Sequence, residues 1–171
     1  MKQRLLSKSA FKTASTCPTK LYYYMQGYPS VKEEDEYLKS LARDGHIIGK
    51  IAQLKYPEGV EIDRSVSKDL AIAEPERLLK SHENLVLFEA ALRSGSFIAY
   101  VDILVKQGTK LSLIEVKSKG LNSADGQALL YGILGQKGGI VAKFSPYIED
   151  IAFQYVVAKE LFPDFQIACF L

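Results

Sequence analysis

Asp102, Glu115 and Lys117 stand in runs that are otherwise apolar, SFIAYVDILV and KLSLIEVKS. Both runs read as strands, and the QGTK between them closes a two-residue hairpin with Gly108 at the first central position, as a type II′ turn prefers. That register sets Asp102 opposite Glu115 and Tyr100 opposite Lys117. A like turn in RSGS, centred on Ser94 and Gly95, adds NLVLFEAAL as a third strand and sets Glu89 opposite Tyr100. Directly opposed residues share a sheet face, and so do residues two apart, so Glu89, Asp102, Glu115 and Lys117 form one charged patch across three strands.

Around the patch the same face carries Leu87, Ala91, Leu104 and Leu113, while Phe88, Ala90, Val101, Ile103, Val105, Ile114 and Val116 line the other. A sheet apolar on both faces is covered on both. Two carboxylates buried side by side repel and raise at least one pKa unless a cation sits between them. Uncompensated, such burial is costly for each charge. Oxygen donors select a hard cation, Mg²⁺ or Mn²⁺. Asp102 and Glu115, with the carbonyl of Val116, are the expected ligands, and an ion there lowers the pKa of a water and polarises a phosphodiester. Lys117 orients the water or neutralises charge on phosphorus. Glu89 either reaches a second ion or holds Lys117 through a hydrogen bond. The plainer reading, an exposed Glu115–Lys117 pair on an edge strand, contributes little stability and leaves Asp102 and Glu89 unexplained.

The remaining elements must position this patch. Ser7 caps SKSAFKTAS, Pro18 opens CPTKLYYYMQG and Gly27 ends it, which predicts two short helices. From Glu33 to about Lys55 a stripe of Leu38, Leu41, Gly45, Ile48, Gly49 and Ala52 predicts a longer one. Glycine inside a helix costs about 1 kcal/mol relative to alanine, so Gly45 and Gly49 imply a close approach to the backbone. YPEGV ends that helix, and SKDLAIAEPERLLKSH predicts another, interrupted before Pro75. SPYIEDIAFQYVVAKELF returns to helical spacing and QIACFL supplies a last strand. Residues 120–139 read as a loop around a short helix at ALLYGIL. The fold class is therefore α/β, a central mixed sheet with an antiparallel three-strand meander flanked by helices. Residues 1–171 make one domain, mainly helical over 1–83, with the core sheet and helix over 84–171. The apolar last strand either docks fully into the sheet or marks the chain as the N-terminal part of something longer, which leaves room for C-terminal domains or partner subunits.

A chain of 171 residues with a quarter of them charged is the size of one domain with a real core. No run approaches the roughly 18 apolar residues of a membrane span, and MKQRLLSKSAFK lacks a secretory h-region, so a cytoplasmic protein without a membrane partner is expected. Cys17 and Cys169 are too few and too far apart for a zinc knuckle. The net charge of +2 is weak support for a nucleic-acid partner, but its distribution says more. Lys2, Arg4, Lys8, Lys12 and Lys20 precede any acid, whereas VKEEDEY is acidic. A basic arm of Lys8, Lys12 and Lys20 meets phosphates, unless it is an ordinary solvated helix face. LYYYM reads as core or interface more readily than as a base-stacking platform, although aromatics beside Lys20 suit single strands.

VD at 101–102, followed after a turn by EVK at 115–117, resembles the PD-(D/E)XK nuclease superfamily. The order of LSKSAFKTASTCPTKLYYY, GHIIGKIAQLKYPEGV, LFEAAL, YVDIL, LIEVKS and DIAFQY is similar to the RecB-type exonuclease branch, including the CRISPR-associated RecB-like exonucleases. It is closest in character to the N-terminal nuclease-like domain of a family of longer bacterial proteins. The resemblance implies a restriction-endonuclease-like core and a Mg²⁺- or Mn²⁺-dependent nuclease acting on single- or double-stranded DNA in repair, recombination or defence. It makes Asp102 and Glu115 the metal carboxylates and Lys117 the catalytic lysine. His46 becomes a further metal ligand, with Ala42, Gly45 and Gly49 letting its helix press on the site. Gln154 matches a glutamine that orients substrate or lysine. Four residues on, the family's tyrosine is replaced by Ala158, with Tyr155 adjacent to Gln154 instead. Cys17 lies where some relatives begin an iron–sulfur cluster, but the late cysteine triplet is missing, so no cluster is expected in this chain. The rival reading is a catalytically silent nucleic-acid-binding or protein-interaction domain.

Overall fold

A computed structural model describes residues 5–29, 36–65, 67–118, 133–134 and 139–171. It is α/β, with a mixed open sheet flanked by helices. The short strand β1 (Leu6–Ser7) leads into α1 (Lys8–Thr16), which Ser7 caps by accepting from the Ala10 N–H. Helix α2 (Pro18–Met25) starts on the expected proline, and Gly27 follows it at φ 76°, the left-handed conformation that favours glycine after a helix. Next come α3 (Glu36–Gln53), β2 (Val60–Glu61), α4 (Lys68–Ser81) and three long antiparallel neighbours, β3 (Asn84–Ser94), β4 (Phe97–Gln107) and β5 (Lys110–Ile114). Helix α5 (Ser145–Leu161) and β6 (Gln166–Phe170) complete the order. The sheet runs β2-β3-β4-β5-β6. Strands β2 and β6 join in parallel, and β1 pairs in parallel with β4. The meander and the last strand are placed as read from the sequence, except that β5 ends at Ile114, short of the EVKS expected within it. The edge strands β1 and β2 were not anticipated inside the helical half.

Some expectations need correction. Helix α4 runs unbroken through Pro75, which is fully buried. The α3 stripe is not a core face: Leu38 and Leu41 are exposed, and α3 has no fully buried residue. Ala52, and Tyr56 beyond the helix, pack against Phe88 and Ile103. A Cβ added at Gly45 or Gly49 meets nothing within 4 Å, so these glycines border open space rather than an approaching backbone. Among the described residues β6 pairs on one side only, and Phe170 is half exposed, so full docking of the last strand is not seen there. The loop and short helix expected over 120–139 lie largely outside the described residues.

Most of the core lies between the sheet and helices α4 and α5, where Leu79, Leu87, Leu104, Leu113, Val157 and Phe162 meet. Its least expected member is Lys106, which is only 8% exposed. Its ammonium donates to the carbonyls of Leu79 at 2.5 Å and His82 at 2.7 Å, satisfying the C-terminal end of α4. A cation at that end also opposes the helix dipole. Lys106→Met, which keeps the stem and strands both carbonyls, is expected to cost about 2–3 kcal/mol, read as a lower urea midpoint. Close packing fixes Gly59 as well. A Cβ there would lie 2.1 Å from the Phe88 ring, so Gly59→Ala should cost about 1–3 kcal/mol in the same measurement.

Candidate active site

The β4–β5 turn sets the register that brings the charges together. Gly108 has φ 56° while Thr109 does not turn positive, as a type II′ turn requires, and Ile103–Ile114 and Leu104–Leu113 pair as expected. The chain leaves the ladder after Ile114, but Val116 stays beside Asp102 and its N–H donates to Asp102 Oδ2 at 2.7 Å. The first turn differs from the reading. Ser94 pairs with Phe97, so the turn centres on Gly95 and Ser96, and Glu89 comes opposite Asp102 instead of Tyr100. The error is two residues and therefore leaves the facing of the strand unchanged.

At Glu89 the strand departs from regular alternation. Its φ is 56°, unusual for a non-glycine residue and costing about 1–3 kcal/mol, and the ladder is interrupted between the Phe88–Ile103 and Ala90–Val101 pairs. The interruption resets the side-chain phase. Ala90 and Val101 join Leu87, Leu104 and Leu113 in the main core, whereas Phe88 and Ile103 pack on the α3 side with Val105, Ile114 and Val116. The expected all-apolar second face is thus divided at this point.

Glu115 is 3% exposed and fully engaged. Lys8 from α1 lies 2.7 Å and Lys117 2.5 Å from Oε1, and Gln154 Nε2 donates to Oε2. Asp150, one helical turn before Gln154 on α5, is buried too and receives Lys117 at 2.8 Å. Lys12 stands 2.5 Å from its other oxygen as a charge contact outside hydrogen-bond geometry, and Lys8 is at 3.7 Å. Gln154, expected on the helix surface or near the site, is completely buried and holds Glu115 rather than Lys117. Lys8 and Lys12, expected to meet phosphates, turn inward to these acids. Glu89 does not hold Lys117; it pairs with Arg64, whose guanidinium lies 4.9 Å from the Tyr100 ring centroid. Lys20 and Tyr155 are exposed and do not line the pocket described next.

Burial works to raise the Glu115 pKa, but hydrogen bonds from Lys117 and Lys8 overcome it and hold the carboxyl below its ordinary value. Asp150 is likewise held low by Lys117 and Lys12 against burial. Lys117 resists the burial that would neutralise it, because Asp150 and Glu115 favour its charged form and keep its pKa raised. Asp102 behaves oppositely. Burial first and the Glu115 charge second push it up to about 6, and the bond from Val116 only partly offsets them. Among the described residues it is the one carboxylate of this group without an ion-pair partner.

Asp102, Glu115, Glu89 and Val116 line a pocket of about 260 Å³ whose opposite wall is α3, through Gly45, His46 and Gly49. The small residues of α3 hold that space open. A hard divalent cation fits the site in donor type and charge, since oxygen ligands and one uncompensated negative charge meet there. The wider ligand set expected from His46 is not assembled: among the described residues no three His, Cys, Asp or Glu side chains converge on one point. His46 borders the pocket without joining such a group. Sequence reading missed Asp150. Its spacing of four from Gln154 puts both on one turn-related face of α5, the only available signal.

Comparison of the chain with models of known protein families, with curated proteins and with solved structures finds no match. Among the described residues no helix is long and apolar enough to cross a membrane.

Proposed function

We propose that this chain is a Mg²⁺- or Mn²⁺-dependent nuclease with a restriction-endonuclease-like core, hydrolysing DNA phosphodiester bonds. The observation that carries the reading is Asp102: a largely buried carboxylate, pushed to about 6 beside Glu115, opening on a pocket whose lining lysine, Lys50, pairs with Glu61 rather than with it. The meander, with its two carboxylates and Lys117 on adjacent strand ends, supports the same reading. Asp102, Glu115 and the Val116 carbonyl would hold the ion, which supplies a polarised phosphate oxygen and a more acidic water. Gln154 fixes the Glu115 carboxylate by holding Oε2. Asp150 and Glu115 hold Lys117 charged, and its ammonium stabilises negative charge developing on the phosphate. The open floor at Gly45 and Gly49 admits the sugar–phosphate backbone.

One observation favours a second reading. Glu115 already has donors on both oxygens, so much of the centre is neutral as it stands. That suits a silent domain that binds nucleic acid or protein. Labelled single- and double-stranded DNA, incubated with Mn²⁺, Mg²⁺ or EDTA beside Lys117→Ala and Asp102→Ala, separates the two. Cleavage that requires the ion and both side chains supports the nuclease; cleavage indifferent to both substitutions removes the assigned site; binding without cleavage favours the silent domain.

A further inference from the structure

We propose that helix α2 carries a single-strand platform, on which unpaired bases stack against Tyr22, Tyr23 and Tyr28. The inference rests on the nuclease reading and names its substrate class. Tyr22, Tyr23 and Tyr28 are 61%, 47% and 63% exposed, so LYYYM is not the core segment that was one of its expected roles. They form a continuous aromatic ledge: Tyr22 and Tyr23 meet edge to face at 5.5 Å between ring centroids, and Tyr23 and Tyr28 at 5.1 Å. Helix α2 buries no residue of its own.

Charge selects the occupant. No Asp or Glu precedes Glu33 in the chain, and Lys20 stands exposed on the same helix. Aromatic rings on a helix that carries no carboxylate of its own and bears an exposed cation suit a polyanion with flat apolar faces, which is single-stranded nucleic acid. Duplex DNA buries those faces in its own stack. The ledge is one helix away from the candidate site, because α2 packs on α1 and α1 delivers Lys8 to Glu115.

The test is anisotropy of a labelled oligothymidylate of about 12 nucleotides, in EDTA so that no cleavage intervenes. Its competitors are a duplex and an abasic strand of equal length. The wild-type chain should prefer the oligothymidylate to both. Y22A/Y23A/Y28A should weaken binding by about thirtyfold or more, while Y22F/Y23F/Y28F, which keeps the rings, should stay within about threefold. Circular dichroism of the alanine variant checks that it folds. Equal affinity for the abasic strand or the duplex, or unchanged binding by the alanine variant, overturns the proposal. So does failure to bind any strand, which would leave the ledge to a protein partner. Because binding is read without the ion, loss of cleavage alone would count against the nuclease reading and not against the ledge.

Discussion

Lys117→Ala is expected to lower DNA cleavage by about a hundred- to a thousandfold, the usual cost of deleting one donor aimed at developing charge. The ammonium bridges Glu115 and Asp150, so its position comes from two elements, the end of β5 and helix α5. Its loss should act on kcat more than on KM, since substrate binding has other sources and the ammonium is worth most when charge builds on the phosphate. Single-turnover cleavage across a range of DNA concentrations measures the split. Lys117→Arg is expected to rescue poorly, because a planar fork cannot occupy the point between two carboxylates that a compact ammonium fills. A fall confined to KM would mean that Lys117 binds DNA without assisting the reaction.

Asp102→Asn is expected to stabilise the fold near neutral pH while abolishing cleavage. The unfolded carboxyl titrates near pH 3.9 and the folded one at about 6. Between these values the folded chain binds more protons than the unfolded chain, so Asp102 lowers stability as pH rises through that window. The penalty is absent below about pH 4 and complete above about pH 6, where it amounts to about 2–3 kcal/mol. Urea unfolding of the two proteins should therefore agree at about pH 4 and diverge by that amount at about pH 7.5, with the asparagine variant the more stable. Mn²⁺ should recover stability for the wild type alone, by about 2.7 kcal/mol at a hundredfold excess over its Kd. Parallel pH profiles for the two proteins would mean that Asp102 is not strained by its surroundings.

The chemistry-bearing residues were legible where local rules determine placement. Glycine at the first turn position sets the β4–β5 register that brings Glu115 to the pocket beside Asp102, but Glu115 and Lys117 lie beyond the end of β5, and Lys117 is placed by Glu115 and Asp150 rather than by strand period. Glu89 was not legible in the same way. Its φ is positive where its side chain pairs with Arg64, and no residue type signals such a backbone when glycine is absent. Lys8 and Lys12, one turn apart on α1, looked like a solvent-facing basic stripe. Their acids lie far along the chain, and helix periodicity says nothing about which element a face will meet. Gly45 and Gly49 show the reverse error: small residues were read as a tight contact, when they border an open pocket.

The main-chain N–H of Glu115 donates to the carbonyl of Phe170, so the segment bearing the central carboxylate is clamped by the final strand. Parallel β5 and β6 are joined by a connection that includes α5, and closing it is slow compared with forming the β3–β4–β5 hairpins. On the ribosome, Asp102 and Lys117 emerge well before the residues that anchor their neighbour. A partly synthesised chain that holds Asp102, Glu115 and Lys117 therefore still lacks the Phe170 carbonyl that fixes the Glu115 backbone, until β6 pairs with β5.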